Sequence, residues 1–257
     1  MKIVADSWYM AVRDLRNLSR QPWYIAFTLV QPIIYLVFFA QLFKRVVEIP
    51  GFGSGSYIAF LTPGVVVMTA LFSGGWSGMS AVQDLDRGVM DRFLVSPVSR
   101  LAIIVGRMVQ LAVVTLVQAT IIVVLGVVQG ASFPSGLAGV AVVIAAAILL
   151  ALPFAALSNG LGLAVRQEES VIGANNFILL PLTFLSAVFM AQRLMPGWMQ
   201  QVANFNPVNW AVSASRTATE TDPNWSFVLA RLGWLALLCV ACTWLATLAF
   251  RSYQRSI

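Results

Sequence analysis

Histidine is absent from this 257-residue chain, and cysteine occurs only twice. Without histidine the chain forms neither a Ser-His-Asp hydrolase triad nor a Cys-His protease pair, and it offers no imidazole ligand for zinc or haem. We therefore predict no catalytic residue and no metal site. Cys239 and Cys242 are spaced as C-x-x-C, which fits either a redox or metal pair or two small apolar residues one helical turn apart. The second interpretation is favoured, because a redox pair is expected beside a soluble βαβ unit.

Charged residues are also scarce, at 10% of the chain, whereas hydrophobic residues make up 59%. A soluble domain carries about 25% charged residues. The apolar residues form six long runs, and the short segments between them hold nearly all the charge. A helix needs about 20 apolar residues to cross a bilayer, so we predict an all-α integral membrane protein with six transmembrane helices in a single domain, residues 1–257. The predicted spans are 23–43, 57–81, 101–128, 137–165, 171–190 and 227–250.

The distribution of lysine and arginine predicts how these spans are oriented. If the N-terminus is cytoplasmic, eleven of the 16 basic residues lie in segments on that side and five lie outside. Because cytoplasmic loops carry an excess of Lys and Arg, we predict a multi-pass protein of the cell inner (plasma) membrane with both termini in the cytoplasm. We attribute the net charge of +6 to basic residues that set the orientation of the chain in the lipid bilayer and contact anionic headgroups. We therefore predict no nucleic-acid partner.

Two segments outside the spans have the periodicity of amphipathic helices. Residues 1–21 place Trp8 and other apolar residues on one stripe and basic residues off it, which is typical of an interfacial helix. In residues 83–100, apolar residues recur at a spacing of four from Leu85 to Phe93. This spacing predicts a short cytoplasmic helix that ends at Ser96-Pro97. From periodicity alone, that helix either rests on lipid headgroups or docks its apolar ridge into a partner protein. The ridge consists of Leu85, Val89 and Phe93.

Glycine and proline patterns indicate local features. Gly74-x-x-x-Gly78 and Gly126-x-x-x-Gly130 predict small-residue faces at which membrane helices approach closely. The long outer segment 191–226 is semi-amphipathic, and we expect it to dip into the outer leaflet as short re-entrant helices. Those helices should be broken at Pro196 and Pro207.

The chain has no phosphate-binding loop of the form G-x-x-x-x-G-K-[ST], because its only lysines, Lys2 and Lys44, do not follow a glycine. If transport is driven by ATP, the ATPase is another chain. The span interiors hold almost no acidic residues, which argues against a proton-coupled carrier or an ion channel. They do hold large soft side chains, which either pack and face lipid or line a cavity for an amphipathic substrate. Examples are Met68, Phe72, Trp76, Phe177 and Phe184.

Taken together, these residues resemble the membrane subunits of the second type of ABC exporter, the group that includes daunorubicin-resistance, drug and polysaccharide exporters. The basic helix before the first span and the Pro-Val-Ser-Arg ending of segment 83–100 carry part of the resemblance. The rest lies at the end of span five and in the outer segment, and one departure is Met190-Ala191, where many relatives place proline or glycine. The matching motifs are Phe184–Phe189 at the end of span five and, in the outer segment, Met195–Met199, Asn206–Trp210 and Arg216.

The resemblance implies the permease subunit of an ATP-driven exporter, which moves an amphipathic or lipid-like substrate (drug, glycolipid or lipid) out of the cytoplasm. It also implies two ABC ATPase subunits that bind ATP and magnesium, and a second permease copy or a paralogue. This chain would then carry no cofactor and would not itself be an enzyme. An ATP-independent secondary carrier or channel stays open as the alternative.

Three sets of site residues follow from the resemblance. Closure of the ATPase dimer would push on a coupling segment formed by Asp84, Leu85, Arg87, Val89, Asp91, Arg92, Phe93 and Pro97. Spans one, two and five would line the substrate path, with Met68, Phe72, Trp76, Asn176, Phe177 and Phe184. The outer helices would form an exit gate with Phe189, Met195, Trp198, Asn206 and Pro207.

Overall fold

The computed structural model describes residues 22–49, 56–87 and 100–254, and every regular element in these ranges is a helix. The all-α prediction is therefore confirmed for this part of the chain. The predicted interfacial helix (1–21) lies outside the described residues, as does the stretch 88–99 of the predicted coupling helix.

The first described helix, α1, has three consecutive parts: it is α-helical over Pro22–Ile34, π-helical over Tyr35–Phe39 and α-helical again over Ala40–Leu42. Pro32 lies inside α1. Because proline removes a backbone donor and crowds the preceding turn, the helical hydrogen bonds shift register nearby, and the π-helical turn follows three residues later. The helices after it are α2 (Tyr57–Asp86), α3 (Arg100–Val128), α4 (Gly136–Val165), α5 (Glu168–Phe184), α6 (Gly197–Phe205), α7 (Pro207–Thr219) and α8 (Trp225–Gln254).

Within the described residues, four helices are long and apolar enough to cross a membrane. They are α2, Gly106–Val128 of α3, α4, and Trp225–Ala246 of α8, and they correspond to the second, third, fourth and sixth predicted spans. The apolar stretch Ala26–Leu42 and the 17-residue α5 are shorter than the about 20 residues that a crossing needs. The first and fifth spans therefore stay predictions.

The helix of the fifth predicted span is shorter than that span at its C-terminal end. α5 ends at Phe184 and not at Met190, although residues 185–190 are mostly apolar. The helix also begins earlier than predicted, at Glu168. The negative charges of Glu168 and Glu169 in its first turn stabilise the positive end of the helix dipole. The early end has a cause elsewhere in the chain, because side chains of α7 bind the backbone that follows Phe184.

α2 is the central helix, and its glycines allow it to touch α4. A Cβ atom on Gly74 would meet the backbone of Ala151, and one on Gly78 would meet Ser158. A Cβ on Gly162 of α4 would in turn lie 2.6 Å from the carbonyl oxygen of Gly78. The predicted Gly74/Gly78 face is thus confirmed, and its role is close backbone approach.

The second predicted glycine face is only half right. Gly126 of α3 approaches the side chain of Thr62 on α2, as a packing glycine should. Gly130 lies beyond the end of α3, with a positive φ of 96° and open space around it. It serves the turn between α3 and α4, because glycine adopts that conformation without a steric penalty.

Candidate functional site

A cavity of about 600 Å³ lies between α1, α2, α3 and α4, with Ala246 of α8 at its wall. Its wall includes residues within 68–83 of α2, 107–114 of α3 and 155–163 of α4, so it lies toward the C-terminal ends of α2 and α4 and the N-terminal end of α3. Three of the predicted path residues, Met68, Phe72 and Trp76, line this cavity. The other three predicted path residues do not line it: on α5, Phe177 and Phe184 are exposed and Asn176 is half-buried.

At the end of the cavity near the C-terminus of α2, a polar network joins three helices. Arg107 of α3 lines the cavity, forms an ion pair with Asp84 of α2 and donates to the side-chain oxygen of Asn159 on α4 at 3.2 Å. Asn159 donates in turn to the hydroxyl of Ser77 on α2 at 3.0 Å. The network fixes the ends of α2 and α3 relative to α4.

A second polar bridge closes the cavity toward the middle of the bundle. Gln118 of α3 is almost completely buried. Its amide nitrogen donates to the hydroxyl of Thr28 on α1, and its amide oxygen accepts from the hydroxyl of Ser73 on α2, both at 2.9 Å. Thr28 and Ser73 both line the cavity. Because a buried amide needs partners, this side chain specifies how α1 sits against α2 and α3.

The structure places three of the predicted coupling residues. Asp84 is bound to Arg107, Leu85 packs against Leu163 of α4, and Arg87 is exposed at the end of α2. Leu85 therefore contacts the bundle and is not a free part of an apolar ridge. The remaining predicted coupling residues lie outside the described residues: Val89, Asp91, Arg92, Phe93 and Pro97.

Neutralising the acid of this ion pair should have a small effect on stability. Asp84→Asn removes one charged partner from Arg107, and both side chains are partly exposed, so we expect a cost of about 1 kcal/mol or less and a fall in Tm of about 2–4 °C. The measurement is thermal unfolding of the purified protein in detergent. The control is Asp86→Asn on the same helix, where the carboxyl is exposed and no Tm change is expected. Equal shifts in the two variants would contradict a specific role for the pair.

The backbone between α5 and α6 is non-helical, and side chains of α7 bind it. Asn206 donates to the carbonyl oxygens of Leu182 and Leu185, and it also accepts from the backbone N–H of Val208, which caps the start of α7. Asn209 accepts from the backbone N–H of Ala187. These bonds take the place of the helical ones and allow α5 to end at Phe184 inside a mostly apolar stretch.

Arg216 of α7 completes this arrangement. Its guanidinium donates to the carbonyl oxygens of Ala187 and Val188, at 2.5 and 2.8 Å, and to that of Phe60 on α2 at 3.0 Å. It also lies over the Phe60 ring, 3.4 Å from the centroid. We name this arrangement, formed by Asn206, Asn209, Arg216 and the backbone of 182–188, the α5–α7 clasp.

The other predicted gate residues surround the clasp. Phe189 lies among the rings of Tyr35 and Phe39 on α1, at 6.0 and 5.4 Å between centroids, and its carbonyl oxygen accepts from the Tyr57 hydroxyl at 3.1 Å. Met195 is buried, whereas Trp198 on α6 is 61% exposed. The structure therefore joins Phe189 to α1, and it leaves Trp198 on the outside of the bundle.

With this geometry established, one comparison decides the family. The family model described as "ABC-2 type transporter" matches residues 6–219. The chain belongs to the ABC-2 type transporter family. The matched range includes the cavity-lining parts of α1 to α4 and the whole α5–α7 clasp.

Several relatives of this ABC-2 protein are named permeases. A daunorubicin resistance ABC transporter permease protein, DrrB1 of Streptomyces coeruleorubidus, is 29% identical over 73% of this chain and 65% of its own length. The alignment thus spans slightly less than two thirds of that relative. A probable doxorubicin resistance ABC transporter permease protein, DrrC of Mycobacterium tuberculosis, is 25% identical over 93% of the chain and 86% of the relative. A putative transport permease, ycf38 of Porphyra purpurea, is 25% identical over 91% and 80%.

Sequence reasoning missed the most polar parts of this ABC-2 site. Gln118 is absent from the predicted site residues. Its position in the middle of a long apolar run is a signal for a buried polar contact, because a buried amide needs hydrogen-bond partners. Arg107 lies near the start of a predicted span, and it binds Asp84 and Asn159. Asn175 of α5 donates to the hydroxyl of Ser158 and to the carbonyl oxygen of Gly75, which joins α5 to α4 and α2.

Proposed function

We propose that this chain is the permease subunit of an ATP-driven exporter, which moves an amphipathic substrate such as a drug, glycolipid or lipid out of the cytoplasm. The match to the ABC-2 family over residues 6–219 is the observation that carries this proposal. Relatives whose names include daunorubicin and doxorubicin resistance support an amphipathic substrate. The cavity supports it too, since its wall combines Phe72 and Trp76 with polar side chains.

The working assembly contains two permease chains, either identical copies or paralogues, and two ATPase subunits that hold ATP and magnesium. In this assembly the chain crosses the cell inner membrane six times, and both termini are cytoplasmic. The bias of Lys and Arg toward one side supports this orientation. α1 and α5 serve as the first and fifth crossings. Non-helical backbone at membrane depth is tolerated where protein satisfies it, and the bonds of the α5–α7 clasp supply that condition.

Segment 84–97 couples the permease to the ATPase. Its first residue, Asp84, is tied through Arg107 to α3 and through Asn159 to α4, so that a push on this segment reaches helices that line the cavity. Phe189, Met195 and Trp198 form the exit gate, together with Asn206 and Pro207 at the start of α7. The aromatic contacts of Phe189 with α1 support a gate that opens when α1 moves.

A charge on the apolar ridge of the coupling segment should separate the permease from its ATPase. For Phe93→Asp we expect at least about a tenfold loss of co-purified ATPase and of export, because an unpaired carboxylate is costly at an apolar contact. Membrane insertion should stay at the level of the unchanged protein. The measurement is affinity purification from the native host, with quantitative mass spectrometry of the co-purified chains.

One control variant and two contrary outcomes complete that experiment. The control, Phe93→Leu, keeps the apolar ridge and should retain ATPase and export. Unchanged export by Phe93→Asp would contradict docking through this ridge. A chain that purifies alone and moves a solute in liposomes without ATP would replace the exporter proposal with the carrier or channel.

A further inference from the structure

The cavity lies inside one copy of the chain. Among the described residues, its wall is made by α1, α2, α3 and α4 with Ala246 of α8, and α5 contributes none. A path between two permease subunits, lined by spans one, two and five, is a different place. The cavity is therefore distinct from such a path, and it lies toward the C-terminal ends of α2 and α4.

The chemistry of the wall is amphipathic and close to neutral. Phe72 and Trp76 of α2 supply aromatic surface. Among the described residues of the wall, Arg107 is the single ionisable side chain, and Asp84 neutralises it. Bringing a charged ligand into such a site costs desolvation energy that no free countercharge offsets.

Two carboxamides in the wall have hydrogen-bonding capacity that no other described residue uses. Gln83 of α2 and Gln110 of α3 both line the cavity, are only partly exposed, and form no side-chain hydrogen bond with the rest of the described chain. An amide both donates and accepts, so each can bind a hydroxyl, a carbonyl or another amide. The cavity volume of about 600 Å³ is within the range of sites that hold a drug-sized molecule.

We propose that this cavity is a loading site inside each subunit, which binds a neutral amphiphile before it crosses the membrane. The apolar body of the ligand lies against Phe72 and Trp76, and its hydroxyl, carbonyl or amide groups bind Gln83 and Gln110. The loading role rests on the proposed function, whereas binding itself does not. Arg107 and Asp84 hold the wall in place and favour an uncharged head over a charged one.

The test uses the full chain in phosphatidylcholine nanodiscs, without any ATPase. The probe is an alkyl glucoside that carries a photoreactive diazirine in its chain, and the analogues replace glucose with a sulfate or a trimethylammonium head. We expect the glucoside to label peptides of α2 and α3 around Trp76 and Gln110, and each ionic analogue to label them about tenfold less. Equal labelling by all three heads would overturn the selectivity for a neutral ligand.

Two variants with matched controls locate the site. Ser80 is an exposed residue of the cavity wall, and Ser80→Phe fills the cavity, so labelling should fall by about tenfold. Thr120→Phe enlarges an exposed residue of α3 outside the cavity and should change nothing. If Ser80→Phe does not fold, Gln110→Leu should lower labelling by about fivefold, against no loss for Gln41→Leu on α1. Unchanged labelling in Gln110→Leu, or in a folded Ser80→Phe, would overturn the proposal.

Competition then separates two sources of the ligand. Displacement of the photoreactive probe by a neutral diacyl glycolipid indicates that the ligand enters from the bilayer. Displacement of the probe only by a soluble single-chain glucoside indicates that the ligand is a free amphiphile. Either result supports the site. No displacement by either would overturn it. The binding test contains no ATPase, so its result does not depend on whether the chain co-purifies with one. A failure of ligand binding therefore contradicts the loading site alone, and a failure of ATPase co-purification contradicts the exporter proposal alone.

Discussion

Arg216→Met should be among the most damaging single changes in the described part of the chain. The substitution leaves three carbonyl oxygens, those of Phe60, Ala187 and Val188, without their guanidinium donor, and it removes the cation from the Phe60 ring. An unsatisfied buried acceptor costs about 1–3 kcal/mol, so we expect a loss of about 3 kcal/mol or more. The measurements are the yield of monodisperse protein in mild detergent and its thermal unfolding.

The control for Arg216 is an arginine with a similar ring contact but no backbone partners. Arg231 of α8 lies 5.0 Å from the Phe227 ring on the same helix. Arg231→Met should shift Tm by only about 1 °C or less, because a local contact of this kind is weak. The fall in Tm for Arg216→Lys should lie between those of Arg216→Met and Arg231→Met. Lysine keeps the charge, but its ammonium group lacks the planar guanidinium that reaches several acceptors at once. A stable Arg216→Met protein would show that the α5–α7 clasp does not need its cation.

Gly74→Ala should disrupt the contact between α2 and α4, although it adds a single methyl group. The new Cβ would collide with the backbone of Ala151, which cannot move as a side chain tip can. Overpacking of this kind costs about 1–3 kcal/mol, and Gly74→Leu should prevent folding altogether. The same detergent yield and unfolding measurements apply, with loss of the folded peak in size-exclusion chromatography as the clearest sign.

Gly173→Ala provides the matched control for the glycine substitution. Gly173 lies inside α5, and nothing stands within 4 Å of the position of its Cβ. Alanine is a better helix former than glycine, so this change should raise stability by about 0.5–1 kcal/mol. Opposite signs for the two alanines are the expected result. A loss of stability at Gly173 as large as that at Gly74 would mean that helix separation is not what Gly74 provides.

The long helices could be predicted because their signal is local. α2, α3, α4 and α8 each follow from a continuous apolar run, and the Gly74/Gly78 spacing predicted where α2 is approached closely. The end of α5 could not be predicted in this way. Residues 185–190 are mostly apolar and would continue a helix, but their backbone is bound by side chains of α7 that lie about 20 residues further along the chain. Nothing in the run itself reveals those partners.

The candidate site was predictable on its apolar side and not on its polar side. Met68, Phe72 and Trp76 recur on one face of α2, and they do line the cavity. The polar wall depends on pairs that are distant in sequence, such as Gln118 with Thr28 and Ser73. A single sequence indicates that a buried amide needs partners, but it does not say which helix provides them.

The bonds of Arg216 also set an order for biosynthesis. The residue reaches back 28 and 29 positions to the end of α5, and 156 positions to the beginning of α2. A nascent chain that has made α1 to α5 lacks this guanidinium donor for all three carbonyl groups until α7 emerges from the ribosome. The contact between α2 and the backbone after α5 therefore stays incomplete during most of translation, and one arginine close to the end of the family-matched region completes it.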